Sequence, residues 1–425
     1  MGSIKLLRNL SLLEAVMIGL GPTIGPTIFV VPRLAVEMAG SAAIFTFILA
    51  GVFSLFIALN YADMSSRIAK AGGGYSFVSY ALGGVPAFLS GWFMHIGNVA
   101  YAALSAYTAA IMLSQMLPIS TSEIAALILA LFLVVNLVGV KKAGSLQVML
   151  TSFVFGILLL FILFGVFKID VSRYELLTPF VLYPVFSSLG YVFSIYIGFE
   201  LITNVSEEVK RARKVVPKAI ILTILIALLI FPSIIAVLIG TLDYSEIISS
   251  ETPLIKSAFQ LFSTLGFLMA VAAVIASLAS LNASLIAASR TLYSLSRDRH
   301  IPKIFENIHA SFRTPYFSLL FTFALALLIV FLFDIELIVY ISDLAYLLGL
   351  IIINPAGILI KRRSNGHRRL SQIFIPLLAL ISTLLIIPTI SFKAMIVGLM
   401  LTVVGFVLAA VELIVKSIKS KPVEE

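Results

Sequence analysis

Long apolar stretches recur along the whole chain and restrict its possible folds more than any other feature. Each is about as long as the 20 or so residues that a helix needs to cross the roughly 30 Å hydrocarbon core of a bilayer. These blocks lie near residues 11–35, 41–61, 85–115, 122–140, 145–167, 183–206, 217–240, 258–289, 315–333, 337–360, 371–389 and 394–415. Charged residues make up only 12% of the chain, about half the share typical of a soluble domain. Transmembrane β-strands alternate polar and apolar residues over about ten positions. The sequence therefore predicts an all-α membrane protein with about 12 transmembrane helices.

The basic residues are distributed very unevenly between the predicted loops. If the N-terminus lies in the cytoplasm, 24 of the 29 Lys and Arg residues fall in cytoplasmic segments. Because basic residues concentrate on the cytoplasmic side of membrane proteins, we expect a multi-pass protein of the cell (cytoplasmic) membrane with both termini in the cytoplasm. The formal net charge of +9 then reflects topology and contact with the lipid bilayer, and no nucleic-acid partner is expected.

Residues that usually carry catalysis or bind metals are scarce and scattered. The chain has no cysteine, which excludes thiolate chemistry and cysteine-ligated metals. The four histidines, at positions 95, 300, 309 and 367, form no metal-binding pair. The repeated pore helices or charged rings of an ion channel are not visible either. We expect no metal, no cofactor and no enzymatic activity.

Two of the predicted spans contain helix breakers near their midpoints. Span 1 carries residues 21–27 (GPTIGPT), and span 6 carries residues 196–200 (YIGFE). Proline removes an amide donor, and unwound backbone at membrane depth is tolerated only where protein or a wet cavity satisfies it. Each span alone fits a simple proline kink or a mobile glycine. The matched pair, five spans apart, favours the broken helices that flank the binding site of a secondary transporter.

Five motifs, in order along the chain, resemble those of one transporter family. They are residues 19–32 (GLGPTIGPTIFVVP); 71–77 (AGGGYSF); Gly91-Trp92 with Gly97-Asn98; 196–200 with 207–210 (EEVK) and 216–220 (VPKAI); and 289–293 (SRTLY) with Arg297-Asp298 and Ile301-Pro302. Together they resemble the amino acid–polyamine–organocation (APC) transporters, especially the basic amino acid/polyamine antiporter branch. The resemblance covers about residues 6–360.

The resemblance implies two inverted five-helix repeats with discontinuous helices 1 and 6, plus two additional helices. The first repeat would span residues 1–180, the second 181–360, and residues 361–425 would hold spans 11 and 12 and a cytoplasmic tail. It also implies a secondary active transporter, a permease or exchanger, that moves amino acids by alternating access with substrate at the unwound centres of spans 1 and 6. The alternative is a polyamine or basic amino acid antiporter that uses Glu200, with Asp343 as a second candidate, as counter-charges.

The resemblance further predicts which groups bind substrate. In relatives the exposed amides of broken span 1 bind the substrate carboxylate, as a helix N-terminus binds an anion. Pro22 and Pro26 have no N–H, so the amides of Thr27 and Ile28 and two threonine hydroxyls remain as donors. The predicted substrate-binding residues are Thr23, Gly25, Thr27 and Ile28 on span 1 and Ser194, Ile197, Gly198 and Glu200 on span 6.

Span 3 presents one small and polar helical face, formed by positions 95, 98, 102, 105 and 109. We expect this face to line the substrate cavity, with His95 and Asn98 contacting the substrate side chain. Hydrogen bonding between helices is the alternative, of equal weight for His95 and less for Asn98.

Ionisable residues inside a bilayer are costly and usually functional. Glu200 is expected to act as a protonatable latch or as a counter-charge to an amine; a neutral carboxyl bracing the break is the alternative. Asp343 fits equally a proton-linked or counter-charge role and a solvated position near the outer end of span 10. We favour a neutral or broad-range amino acid as the substrate, because such carriers dominate the family.

The coupling ion is left open between H⁺ and Na⁺. Residues 145–167 of span 5 contain no ionisable side chain, which disfavours the lysine-gated proton mechanism of some relatives. Ser280 and Ser284, with Ser277, offer hydroxyls for a possible Na⁺ site against span 1 carbonyls. Small residues that pack between membrane helices are the alternative interpretation of these serines.

Overall fold

The computed structural model of the protein describes residues 6–114, 118–174, 182–365, 370–390 and 392–420. These residues form helices and connecting turns, with a single isolated β-bridge between Leu10 and Val209. The α-helices of the described residues, in chain order, are α1 (Leu12–Ile24), α2 (Thr27–Ala39), α3 (Ala43–Arg67), α4 (Gly74–Ala81), α5 (Gly84–Ser114), α6 (Thr121–Leu137), α7 (Val140–Gly165), α8 (Leu182–Ser187), α9 (Leu189–Phe193), α10 (Leu201–Asn204), α11 (Ala212–Thr241), α12 (Tyr244–Ser249), α13 (Pro253–Leu261), α14 (Ser263–Arg297), α15 (Tyr316–Leu332), α16 (Ile335–Asn365), α17 (Leu370–Ile386) and α18 (Phe392–Ser420).

Seven helical stretches in the described part of the chain are long and apolar enough to cross a membrane. They are Thr27–Arg67, Gly84–Ser114, Lys141–Lys168, Ala212–Thr241, Ser263–Arg297, Ile335–Arg363 and Phe392–Glu412. Shorter apolar helices occupy Leu12–Ile24, Thr121–Leu137, Tyr316–Leu332 and Ile373–Thr389. The prediction of an all-helical, multi-pass membrane protein is therefore confirmed.

The predicted blocks and the observed helices correspond in position. Spans 1 and 6 are each divided, span 1 into α1 and α2 and span 6 into α8, α9 and α10. Each of the other ten predicted blocks overlaps one long helix. The short helices α4, α12 and α13 lie between the apolar blocks or, for α13, at the start of one. The predicted domain boundary at residues 180 and 181 lies outside the described residues.

Local sequence explains where several helices begin. Ser11 and Glu14 form a capping box at α1, in which the Ser11 amide donates to Glu14 Oε2 at 2.6 Å. Ser120 and Glu123 form the same motif at α6. Each box satisfies amide donors that the first turn of a helix leaves without partners. Both α1 and α6 thus begin at a defined residue.

The centre of the bundle is formed by α3, α5, α11, α14 and α16. Helix α5 packs along α14 and α16, and α3 packs along α11. Small residues allow this close approach: a Cβ on Gly91 of α5 would lie 2.7 Å from Leu295 Cδ2 of α14. Close packing through small residues is the usual way in which membrane helices associate. The outward face of the peripheral helix α6 exposes large apolar side chains such as Leu127 and Leu131.

Candidate functional site

The break in span 1 is shorter than the breaker motif predicts. Helix α1 continues through Pro22 to Ile24, and only Gly25 and Pro26 lie between α1 and α2. Gly25 adopts φ 20° and ψ −176°, and its amide donates to the Gly21 carbonyl at 2.9 Å. The amides of Thr27 and Ile28 then open α2, where the helix provides no carbonyl to accept from them. The break therefore presents a helix N-terminus.

The break in span 6 is longer. A 3-10 turn at Ser194–Tyr196 is followed by Ile197 in an extended conformation and by Gly198 with φ 135°. The Gly198 amide donates to Oε2 of Glu200 at 2.9 Å. Because residues with a side chain rarely adopt this φ, Gly198 is required for the path of the chain here.

The two breaks touch each other. A Cβ added to Gly198 would lie 2.6 Å from the Thr23 amide nitrogen, 2.8 Å from Thr23 Oγ1 and 2.9 Å from Pro22 Cβ. Thr23 itself donates its hydroxyl proton to the Gly19 carbonyl at 2.8 Å. The structure thus brings the predicted residues Thr23 and Gly198 into direct contact, although they are 175 positions apart.

Helices α5 and α14 contribute hydroxyl groups to the span 1 break. Tyr101 of α5 donates to the Pro22 carbonyl at 3.0 Å, and Ser280 of α14 donates to the Gly21 carbonyl at 3.3 Å. A Cβ on Gly25 would lie 2.5 Å from the Tyr101 hydroxyl. The Pro22 carbonyl, which receives no amide proton because Pro26 has none, therefore accepts from α5, and the Gly21 carbonyl accepts from α14 as well as from the Gly25 amide. Tyr101 was not among the predicted site residues.

A cavity of about 290 Å³ begins at these breaks. It extends along α2 and α16 towards the start of α16. Its lining consists of Pro26, Thr27, Val30, Val31, Leu34, Tyr101, Leu104, Thr108, Gly190, Tyr191, Ser194, Glu336, Val339, Tyr340, Asp343, Leu344, Thr389 and Ile390. Mostly apolar walls with a few polar groups are typical of a small-molecule site.

Two polar groups of the cavity have no protein partner among the described residues. The buried hydroxyl oxygen of Thr27 makes no hydrogen bond. The carboxylate of Asp343, which is half-buried, has no hydrogen bond or ion pair to a described residue. Since buried polar groups are nearly always paired in folded proteins, the Thr27 hydroxyl is available to a ligand, and the half-buried Asp343 carboxylate faces the same cavity.

Glu200 lies elsewhere. Its side chain is buried, does not line the cavity and accepts from the Gly198 amide. The hydroxyls of Tyr61 and Tyr346 lie near this carboxyl. The two carboxyls singled out from the sequence, Glu200 and Asp343, therefore occupy different environments.

His95 and Asn98 do not line the cavity. His95 is buried, with Nδ1 3.1 Å from the Ala288 carbonyl of α14 and with Nε2 unpartnered. Asn98 donates back to the Met94 carbonyl of its own helix at 2.7 Å. The face of α5 that lines the cavity instead carries Tyr101, Leu104 and Thr108.

The candidate ion-site serines differ from each other. Ser280 contacts span 1 through the Gly21 carbonyl, as described above. The hydroxyl of Ser284 is buried without a hydrogen-bond partner, and Ser277 donates to the Ala273 carbonyl of its own helix. Only Ser280 of the three therefore contacts α1 by a hydrogen bond in the described structure.

A buried amide network, which the sequence did not reveal, joins spans 1, 4, 5 and 8. Asn136 of α6 donates to Asn282 of α14 at 3.0 Å, and Asn282 donates to Gln147 of α7 at 2.8 Å. Gln147 in turn donates to the Met17 carbonyl of α1 at 3.3 Å and to Thr151 at 3.1 Å. Gln147 Nε2 also contacts Gly21 so closely that a Cβ there would clash. The network fixes α1 against α7 without any charge.

On the side of the breaks away from the cavity, a charged cluster joins the ends of spans 6 and 8. Glu208 and Arg290 form a bidentate pair at 2.8 and 3.3 Å, with side chains no more than 1% exposed. Glu207 pairs with Arg297 at 2.6 Å and also accepts from the Ala71 amide at 3.1 Å. Asp298 accepts from the Tyr75 hydroxyl at 2.9 Å. The cluster therefore closes this side.

Paired broken helices that touch each other beside a cavity, inside a multi-pass helical membrane protein, are typical of transporters. Comparison with known proteins confirms this class. Residues 10–416 match the family model described as "Amino acid permease", and the chain belongs to this family of the APC superfamily.

Three of the relatives are named as transporters or permeases. The chain is 27% identical over 399 residues to the methylthioribose transporter of Bacillus subtilis, covering 89% of this chain and 87% of that protein. It is 23% identical over 386 residues to the branched-chain amino acid permease BcaP of Bacillus subtilis, covering 85% and 83%. With the chloroplastic cationic amino acid transporter 9 of Arabidopsis thaliana the identity is 29% over 334 residues, covering 72% and 58%.

Proposed function

We propose that this protein is a secondary active transporter that moves amino acids across the cytoplasmic membrane by alternating access. The observation that carries the proposal is the contact between Gly198 and Thr23, which unites the two helix breaks next to a cavity that Thr27 and Ser194 line. Substrate would be held at this point, between the unwound centres of spans 1 and 6.

The proposed architecture is two inverted repeats, residues 1–180 and 181–360, followed by spans 11 and 12. Helix packing supports it, because helices five spans apart contact each other: α3 with α11, α5 with α14, and α6 with α15. Contacts between the halves also recur after the same shift: α7 of span 5 packs on α14 and α11 of spans 8 and 7, and α16 of span 10 packs on α5 and α3 of spans 3 and 2. An arrangement that keeps its contacts after a shift of five spans is expected of two related halves.

The proposed binding mode assigns a role to each break. The amides of Thr27 and Ile28 and the free hydroxyl of Thr27 would bind the substrate carboxylate. Carbonyls of the extended segment at Ile197 and Gly198 would accept from the substrate amine, near Ser194. Gly25 allows Tyr101 to approach, and Thr23 positions Gly198. His95 and Asn98 would act through the packing of α5, with His95 against the Ala288 carbonyl of α14.

In the proposed orientation both termini and the charged cluster face the cytoplasm, and the cavity opens outward. The basic-residue asymmetry supports this orientation. The lipid bilayer would cover the exposed apolar faces of the outer helices. The structure would then represent the outward-facing state, and transport would require the charged cluster to separate.

Uptake by the purified protein in proteoliposomes tests the proposal. A panel of labelled amino acids should include neutral, branched and basic members, and methylthioribose should be added because a relative is named for it. We expect saturable uptake of at least one amino acid that an unlabelled competitor abolishes. No saturable uptake of any amino acid, or uptake of methylthioribose alone, would reject an amino acid permease.

A cationic substrate is the second candidate, and the unpaired Asp343 favours it. A substrate ammonium or guanidinium group needs an acceptor in a low-dielectric cavity, and Asp343 is the cavity carboxylate without a described partner. Glu200 is committed to the Gly198 amide, so it fits the role of a protonatable latch better than that of a counter-charge. The chain would then act as a basic amino acid or polyamine antiporter.

Two conservative substitutions separate these candidates. For a cation carrier, Asp343→Asn should weaken binding by about tenfold or more, and arginine or putrescine should compete where alanine, serine and leucine do not. For a carrier of neutral amino acids, Asp343→Asn should leave binding unchanged, and Glu200→Gln should keep binding while removing the pH dependence of uptake.

The coupling ion is proposed to be H⁺ or Na⁺. For H⁺ coupling, Glu200 or Asp343 would be protonated. For Na⁺ coupling, the ion would be bound by Ser280, Ser284 and the Gly21 carbonyl. Replacing external Na⁺ by choline at constant pH distinguishes them, since only Na⁺-coupled uptake should fall.

A further inference from the structure

A second cavity, separate from the substrate cavity, lies beside the N-terminal segment and is strongly basic. Its volume is about 720 Å³, and six basic residues line it: Arg8, Arg67, Lys70, Arg211, Arg213 and Lys214. They come from three segments of the chain: the residues before α1, the end of α3 with the residues that follow it, and the residues around the start of α11. We propose that this cavity binds a phosphate-bearing anion and that the bound anion ties the three segments together.

The charges of this cavity are poorly compensated by the protein. Arg67 pairs with Asp63 at 3.3 Å, and Asp63 also lies 3.8 Å from Lys361. The other five basic residues have no ion pair with a described carboxylate. The nearby acids Glu207 and Glu208 are already paired with Arg297 and Arg290. Like charges gathered in one concave surface repel each other, so a multivalent anion is favoured there.

The backbone adds amide N–H donors at the start of α11, and these also favour an anion. Arg211 precedes the 30-residue helix α11 in a left-handed conformation, with φ 51°. The Lys214 amide is taken by the Arg211 carbonyl at 2.8 Å. The amides of Ala212 and Arg213 have no carbonyl within the helix to accept from them, and Ala212 lines the cavity. Helix N-termini bind phosphate groups through such amides.

The position of the cavity explains what a bound anion would do. Leu10 is joined to the loop before α11 by two backbone hydrogen bonds: its amide to the Glu208 carbonyl, and the Lys210 amide to its carbonyl, both 2.9 Å. Arg8 and Arg211 flank this bridge directly. A phosphate group shared by Arg8, Arg211 and Lys70 would hold span 1, the segment after α3 and the span 6–7 loop in the closed arrangement. A ligand that binds this arrangement better than an open one shifts the population towards it.

The shared chemistry is a phosphate anion, and two sources provide it: the headgroup of an anionic phospholipid and a soluble phosphate compound. The test uses purified full-length protein. One arm measures binding of inorganic pyrophosphate in neutral detergent by titration calorimetry. The other measures retention of phosphatidylglycerol against phosphatidylcholine by native mass spectrometry after mixed-lipid nanodiscs are dissolved.

The test variant replaces three cavity charges, as Arg211→Gln, Arg213→Gln and Lys214→Gln together. The matched control removes three exposed basic charges outside the cavity, as Lys141→Gln, Lys142→Gln and Arg362→Gln. We expect the cavity variant to weaken binding by about tenfold or more, since several charge-assisted hydrogen bonds are lost. The control should stay within about twofold of the wild type.

Each outcome decides the proposal. If the wild type binds pyrophosphate and only the cavity variant loses this binding, the proposal is supported and a soluble phosphate compound is a source of the anion. If only the retention of phosphatidylglycerol depends on the cavity, the proposal is supported and the lipid headgroup is the source. Equal losses of binding in both triple variants overturn the proposal. It is also overturned if the wild type neither binds pyrophosphate nor retains phosphatidylglycerol in preference to phosphatidylcholine. Arg8→Gln, in the segment before α1, gives a second measurement should the triple variant fail size-exclusion chromatography. It should also weaken binding.

Discussion

The two sides of the paired breaks satisfy their polar groups in opposite ways. On the cavity side, the Thr27 hydroxyl and the Asp343 carboxylate have no partner among the described residues. On the other side, Glu208 and Arg290 are almost completely buried and doubly hydrogen-bonded. Unpaired polar groups can be stabilised by a ligand, whereas paired and buried ones are stabilised by staying together. In the proposed transport cycle, the cavity side would receive substrate and the other side would have to break contacts to release it.

The largest effect is expected where a buried charge loses its partner. Arg290→Ala leaves the Glu208 carboxylate buried and unpaired, and we expect it to lower the free energy of unfolding by about 3–5 kcal/mol. Denaturation of the detergent-purified protein measures it. Arg297→Ala on the same helix is the matched control, because its side chain is 26% exposed and its loss should be much smaller. Equal losses would mean that the closed side does not depend on the buried pair.

The second effect concerns the contact between the breaks. Gly198→Ala adds a Cβ 2.6 Å from the Thr23 amide nitrogen at φ 135°, so both the backbone angle and the contact must change. We expect uptake to fall by about tenfold or more, because a left-handed alanine alone is unfavourable by roughly 1–2 kcal/mol. Gly156→Ala is the control, since a Cβ there meets no heavy atom within 4 Å. Equal uptake by both variants would show that transport does not depend on the contact between Gly198 and Thr23.

A moderate effect is expected inside the cavity. Thr27→Val removes an unpaired hydroxyl and should weaken amino acid binding by about 1–3 kcal/mol. Thr108→Val is the matched control in the same cavity, because the Thr108 hydroxyl already donates to the Leu104 carbonyl at 2.8 Å. Binding assays should use an amino acid and its decarboxylated amine. If Thr27→Val weakens both ligands equally, the hydroxyl does not recognise the carboxylate.

The smallest effect is expected for an exposed ion pair at the mouth of the cavity. Lys393 and Glu336 approach to 3.4 Å, but their side chains are 76% and 55% exposed. Lys393→Gln should leave the melting temperature unchanged within error, since water and salt screen such pairs. A clear drop would show that charge pairing also stabilises the cavity side, and the contrast between the two sides would then weaken.

Features that depend on local sequence could be predicted, and features that depend on helix rotation could not. Apolar length located the spans, and proline and glycine located both breaks. Which face of α5 lines the cavity depends on how α5 packs on α14, so Tyr101 takes the place expected for His95 and Asn98. The pattern of small and polar residues on span 3 does not indicate how α5 is rotated about its own axis.

Contacts between distant polar residues were also beyond the sequence. Span 5 contains no ionisable side chain, and a neutral Gln147 gives no signal in the sequence that it bonds to Asn282 and to the Met17 carbonyl. Likewise, Pro22 reads as a helix breaker, yet α1 continues past it. Its carbonyl accepts from Tyr101, a partner 79 positions away. Tertiary contact, which a single sequence does not encode locally, decides both cases.

The division of span 1 gives its first half the geometry of a stiff arm with a joint at one end. Helix α1 has 13 residues and is therefore roughly 20 Å long, with Gly25 and Pro26 as the joint. A rotation of about 10° there would move the far end by about 3.5 Å for a helix of that length. That displacement exceeds the 2.9 Å of each backbone bond at Leu10. A turn of that size at the joint would therefore break both backbone bonds at Leu10.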